Sequence, residues 1–134
     1  MDGHVEFLGE RTDVEDVLAS FDIFVLSSIS EGLSNTIQEA MATDLPVVAT
    51  RVGGADELVE DGKTGLLIQP SNSSELAVAL HRLALNRTER EHMGRAGRQR
   101  AERAFSLPVM LANYESLYTE LMAGRGLENA PCVA

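Results

Sequence analysis

Ile23-Phe24-Val25-Leu26, a polar loop from Ser27 to Ser34, the run from Asn35 to Thr43, and then Pro46-Val47-Val48-Ala49 form the stretch that decides the fold. Both apolar runs are continuous rather than alternating, the pattern of strands buried on both faces of a parallel sheet. Between them Ile37, Ala40 and Met41 fall on one side of a helical period, with Asn35 or Ser34 placed as N-cap. Pro46 opens its strand, where a missing N–H does least harm. Strand, helix and strand joined by short polar links are the unit of an α/β parallel sheet.

Upstream, Val5-Glu6-Phe7-Leu8 reads as a short strand closed by Gly9, and Val14, Val17 and Leu18 predict a helix over 13–20 capped by Asp13. Downstream, Gly53-Gly54 marks a loop, Asp56 to Val59 a short helical turn, Asp61-Gly62-Lys63-Thr64-Gly65 a turn, and Gly65-Leu66-Leu67-Ile68 a further strand. From Asn72 the chain is helical. Asn72 with Glu75, and Thr88 with Glu91, have capping-box spacing and open helices that run to about Leu85 and Phe105. Ser106 caps a third helix over 107–122, with Pro108 in its first turn and an apolar face of Met110, Leu111, Tyr114, Leu117, Tyr118 and Leu121. The expectation is an α/β protein: a partial Rossmann-like parallel sheet of about four strands, flanking helices and a helical C-terminal third. One unit is expected over 1–124, followed by a flexible tail, 125–134, that carries the lone Cys132.

The 134 residues, 44% of them hydrophobic, suffice for one domain with a core built without disulfides. Two Tyr, four Phe and no Trp argue against a stacking platform for single-stranded nucleic acid. The formal charge of −10 removes any general attraction to nucleic acid or anionic lipid. Residues 1–62 carry fourteen acids and two bases, whereas 63–134 carry seven acids and nine bases. An anionic ligand of the acidic half must therefore be held by directed hydrogen bonds or by a helix terminus. Residues 87–103, with six Arg and three acids, read as a solvated helix face. No leader pattern opens the sequence and no apolar run reaches membrane-spanning length, so a soluble, cytoplasmic setting is expected.

The segment Ser30-Glu31-Gly32-Leu33-Ser34-Asn35-Thr36-Ile37-Gln38-Glu39-Ala40-Met41 follows the carboxyl end of a buried strand and enters a helix, the edge where open α/β sheets place ligands. A helix N-terminus offers unpaired N–H groups suited to phosphate, and Gly32 allows close backbone approach. Glu31 and Glu39 can accept from hydroxyls. Together these features point to a nucleotide-sugar or polyol-phosphate site. The alternative is that both are ordinary surface acids and that Asn35 only caps the helix. Arg51, at the same edge, either touches an anion or lies at the surface. Ser27 and Ser28 have no suitable His and no G-x-S-x-G context, so they are not read as nucleophiles. Neither a G-x-G-x-x-G nor a P-loop is present.

Glu31 through Glu39 resembles the E-x7-E motif of retaining GT-B glycosyltransferases, in particular glycosyltransferase family four. The flanks agree in order: Phe7-Leu8-Gly9, Asp22-Ile23-Phe24-Val25-Leu26-Ser27-Ser28, Glu39-Ala40-Met41-Ala42, Pro46-Val47-Val48-Ala49-Thr50 with Gly53-Gly54, and Glu57-Leu58-Val59 with Asp61-Gly62-Lys63-Thr64-Gly65-Leu66-Leu67. The resemblance spans about residues 4–122, and Glu-Gly-Leu-Ser-Asn-Thr is most similar to bacterial enzymes of exopolysaccharide synthesis. It implies transfer of a sugar, with retention, from a nucleotide-diphosphate donor to a glycan or lipid-linked acceptor, without a catalytic metal or other cofactor.

By resemblance, Glu31 is the catalytic residue facing the donor sugar. The amides of Gly32, Leu33 and Ser34 lie near sugar hydroxyls and phosphate, Asn35 and Thr36 beside the diphosphate, Glu39 on the ribose, and Gly9, Glu10 and Arg11 beside the base. Leu33-Ser34 departs from the aromatic residue and Gly of many members. The resemblance covers only the later part of the donor domain. It implies a missing N-terminal acceptor domain as partner, membrane association only through a parent enzyme, and a chain inactive alone. The family's donor sheet runs 3-2-1-4-5-6, and without strands 1 and 2 an adapted sheet is expected. The last helix is expected to pack locally or to expose an apolar patch. The unpaired edge opens a second reading: a non-catalytic truncated module that binds nucleotide weakly or self-associates through its open sheet edge.

Overall fold

The computed structural model describes residues 4–124. Its elements, in chain order, are α1 (Val14–Ala19), β1 (Phe24–Leu26), α2 (Asn35–Ala42), β2 (Val47–Thr50), α3 (Ala55–Leu58), β3 (Gly65–Ile68), α4 (Ser73–Leu85), α5 (Arg87–Arg100) and α6 (Leu107–Gly124). A π-helical turn, Ala101–Phe105, continues α5 towards α6. The expected tail, 125–134, lies outside the described residues.

The three strands form one parallel sheet in the order β1-β2-β3, with Val25 opposite Val48 and Val48 opposite Leu66. Side chains alternate across a strand, so this register sorts the apolar runs into two layers. Val47, Ala49 and Leu67 meet Ile37, Ala40 and Met41 of α2, together with Leu18, Leu45, Leu58 and Ala101. Val48, Leu66 and Ile68 meet Ala79 and Leu83 of α4 and Met93 of α5. Every residue of β2 is buried, as a central strand covered on both faces requires.

Among the described residues the sheet has three strands, not about four. Val5–Leu8 has no regular secondary structure and joins no strand among the described residues. Phe7 is 94% exposed. An apolar run becomes a strand only where a neighbour accepts its backbone hydrogen bonds, and none does so here.

Two caps also differ from expectation. α5 begins at Asn86, whose side chain accepts from the Glu89 N–H at 3.0 Å, rather than at Thr88. Asn and Thr both stand three residues before a Glu, and Asn is the stronger N-cap. The Asp13 side chain forms no cap bond to α1. The Asn72 cap forms as the spacing predicts, accepting from Glu75 N–H at 3.0 Å.

The Arg-rich helix is more than a solvated face. Arg90 donates to the Leu83 and Ala84 carbonyls at 2.6 and 2.9 Å, closing the α4–α5 corner. Arg100 donates to the carbonyls of Leu58 and Glu57 at 2.8 and 2.6 Å and to Glu60 at 2.5 Å, fastening α5 to the end of α3. Gly94 lets α5 lie directly on the turn after α2, where a Cβ would stand 1.8 Å from the Asp44 carbonyl oxygen.

Candidate functional site

The carboxyl ends of β1 and β2 carry two loops that touch. The first, Ser27 to Ser34, leads into α2; the second, Arg51 to Gly54, leads into α3. The buried Thr50 hydroxyl donates to the Ser28 carbonyl at 2.5 Å. The Gly54 N–H donates to the Gly32 carbonyl at 2.8 Å. Gly53, at φ +54°, passes so near that a Cβ would lie 2.1 Å from the Glu31 carbonyl oxygen. The second loop is thus a floor under the first, and the positive φ and the close approach both require glycine there.

On this floor the Glu31 carboxylate is half-buried and accepts from Ser28 Oγ at 2.6 Å through Oε1. Gly32 and Leu33 are exposed and Ser34 is buried. Ser34 occupies the N-cap position of α2, yet its hydroxyl pairs with that of Thr36 at 2.9 Å instead of capping a backbone N–H. The N–H groups of Gly32, Leu33, Ser34, Asn35 and Thr36 have no hydrogen-bond acceptor among the described residues. A run of free donors at the positive end of a helix is an anion-binding arrangement.

Glu39 lies one turn further on, and its carboxylate has no partner among the described residues. It borders a cavity of about 740 Å³ whose opposite wall is Thr12 to Asp16 of the α1 entrance. Gly9, Glu10 and Arg11 precede that wall without lining the cavity. Gly9 turns the chain at φ +66°, and Arg11 Nε donates to Asp13 Oδ1 at 2.7 Å. This guanidinium holds the Asp13 carboxyl below the usual carboxylate range. Leu33 and Asn35 face a different groove, of about 460 Å³, shared with Gln38 and with Phe105, Met110 and Tyr114 near the start of α6.

Of the expected site residues, Glu31 to Thr36 surround the entrance to α2 and Glu39 lies a turn further on, whereas Gly9, Glu10 and Arg11 stand apart ahead of α1. Glu39 opens towards α1, Leu33 and Asn35 towards α6, and Glu31 is tied to β1. Arg51 is committed to Asp56 and, at 2.9 Å, to Asp61, so it serves the loop rather than a ligand. Sequence reading did not find Ser28, the Gly53-Gly54 floor or the α6 wall. Their signal was the glycine pair, which spacing places at the ligand edge but does not join to Glu31. Among the described residues no group of three or more His, Cys, Asp or Glu is arranged to hold a metal ion, and no helix is long and apolar enough to cross a membrane.

Residues 1–86 match the family described as glycosyl transferases group 1. The chain belongs to that family. It corresponds to the C-terminal, Rossmann-like part of a GT-B glycosyltransferase. N-acetyl-alpha-D-glucosaminyl L-malate synthase of Bacillus anthracis is 29% identical over 122 residues, covering 91% of this chain and 32% of that protein. The capsular polysaccharide biosynthesis glycosyltransferase CapM of Staphylococcus aureus is 31% identical over 103 residues, covering 77% of this chain and 27% of CapM. Anabaena HepE, crystallised in complex with UDP-glucose, superposes with a TM-score of 0.81 at 31% identity, covering 88% of this chain and 33% of HepE. The group 1 chain described here thus spans about a third of the length of such relatives.

Proposed function

We propose that this chain is the donor half of a retaining glycosyltransferase that moves a sugar from a nucleotide diphosphate to a glycan or lipid-linked acceptor in the cytoplasm. The observation that carries the reading is the row of unsatisfied amides from Gly32 to Thr36, flanked by the carboxylates of Glu31 and Glu39. In a stretch of sequence with a large excess of acids, such amides are the available means of holding a diphosphate. Glu31, whose Oε2 has no partner among the described residues, accepts from sugar hydroxyls and acts at the reacting carbon. Glu39 accepts from the ribose, and the cavity between it and the α1 entrance takes the nucleoside, with Gly9, Glu10 and Arg11 at its approach. That HepE was crystallised with UDP-glucose supports a nucleotide sugar as the ligand class.

Transfer requires an acceptor held in line with the donor, so the reading places the acceptor site on a separate N-terminal domain and leaves residues 1–124 inactive alone. Calorimetric titration with UDP, GDP and their sugars tests it. Saturable binding at millimolar strength or better is expected, weakened about tenfold or more by Glu39→Ala. Absence of saturable binding to every one of these ligands overturns the reading. The exposed stripe of Met110, Leu111, Tyr114, Leu117, Tyr118 and Leu121 favours a second reading, self-association without catalysis. A dimer that forms with rising concentration in sedimentation, with no nucleotide binding, would select that alternative.

A further inference from the structure

We propose that Ser28 is a positioning residue that sets the direction of the Glu31 carboxylate, with Thr50, Gly53 and Gly54 holding the two in register. The inference rests on the reading of Glu31 as the sugar-facing group and adds what aims it. The Ser28 hydroxyl donates to Glu31 Oε1 at 2.6 Å, while Oε2 has no hydrogen-bond partner among the described residues. This is a charge-assisted bond in a half-buried place, stronger than a neutral hydrogen bond. The backbone on either side is fixed as well. Thr50, 4% exposed, fixes the Ser28 carbonyl, and the Gly53-Gly54 turn lies against the carbonyls of Glu31 and Gly32.

A free glutamate side chain spreads over several rotamers, and a ligand must order it at an entropic cost. Here that ordering is done before a ligand arrives. The sequence context excludes Ser28 as a nucleophile, and its hydroxyl makes no other bond among the described residues. Removing it should therefore disturb sugar recognition and leave nucleotide recognition intact.

The test uses the full chain with UDP-glucose and UDP as probes, together with three-bond couplings that report the Glu31 rotamer by NMR. Unchanged, the chain should show one Glu31 rotamer and bind UDP-glucose more tightly than UDP. In Ser28→Ala the Glu31 couplings should average, and UDP-glucose affinity should fall about fivefold while UDP affinity holds. Glu31→Gln should lose the same preference, the double variant no more, and Ser28→Thr should recover it. Couplings unmoved in Ser28→Ala, or equal weakening of both ligands, would overturn the proposal. If the unchanged chain binds neither probe, the couplings alone decide whether Ser28 aims Glu31, and the donor reading is judged separately by the titration with UDP, GDP and their sugars.

Discussion

Alanine placed at Gly94 and at Gly97, one turn apart on the same buried side of α5, should have opposite effects. At Gly94 the new Cβ would meet the Asp44 carbonyl oxygen at 1.8 Å and its carbonyl carbon at 2.8 Å. Carbon and oxygen rest about 3.3 Å apart, so α5 or the turn must retreat by roughly 1.5 Å. The obstacle is backbone that a left-handed residue, Asp44 at φ +60°, already constrains. Overpacking of this kind costs up to about 3 kcal/mol, and the better helix propensity of Ala returns about 1, leaving a net loss near 2 kcal/mol. For a chain of this length that is roughly 6–10 °C in Tm.

At Gly97 the nearest atoms are Met41 Cγ and the Thr64 carbonyl oxygen, both at 3.6 Å, which is ordinary contact. Only the propensity gain remains there, and Tm should rise by about 3–5 °C. Urea and thermal unfolding of the two variants beside the unchanged chain provide the measurement. Equal destabilisation by both substitutions, or none at Gly94, would refute the claim that α5 is seated on the Asp44 carbonyl.

Arg100→Ala should destabilise the chain by about 2 kcal/mol in urea unfolding, because two carbonyls of the α3 end and the Glu60 carboxylate lose a donor together. Arg100→Lys should recover only part of this, since the three donors of an ammonium share one nitrogen, whereas Arg100 reaches its acceptors from Nε, Nη1 and Nη2 separately. Glu60 should contribute to acid lability: its hydrogen bond to Lys63, aided by Arg100, holds its carboxyl below the ordinary 4.5. A carboxyl lowered on folding stabilises fully above its unfolded value, and that contribution disappears as pH falls through the folded value. Between about pH 6 and 3 the Tm of the unchanged chain should therefore fall more steeply than that of Glu60→Gln.

The sheet was legible where burial is the same on both faces. Continuous runs at Pro46–Ala49 and Gly65–Ile68 mark β2 and β3 to within one residue, as strands covered on both sides require; Ile23–Leu26 marks β1 equally closely, although Val25 of this edge strand is 38% exposed rather than buried. Val5–Leu8 shows the limit of that signal: a similar composition stays irregular and exposed where it pairs with no strand among the described residues. The entrance to α2 was legible as a ligand edge from loop, glycine and helix start. Its bonds to the second loop were not, since the hydrogen bond from Thr50 to Ser28 spans 22 positions. The seat of α5 was also hidden, because Gly94 looks like a weak helix residue until the turn it touches is known. Arg90 and Arg100 read as surface charge for a similar reason. Their acceptors are carbonyls, and every residue has one.

Gly54 lies where a Cβ would come within 2.8 Å of Leu33 Cδ1. The room that the side chain at 33 occupies is thus owed to a methyl group absent from a loop twenty-one positions away. The two sites form a size-matched couple. A change of Leu33 to a smaller residue removes the nearest obstacle to alanine at 54 and leaves the Gly32 carbonyl oxygen at 3.3 Å, while a bulkier residue at 33 must swing further towards solvent to make the same room. Attempts to reshape the rim of this pocket one position at a time would miss combinations that only work as pairs.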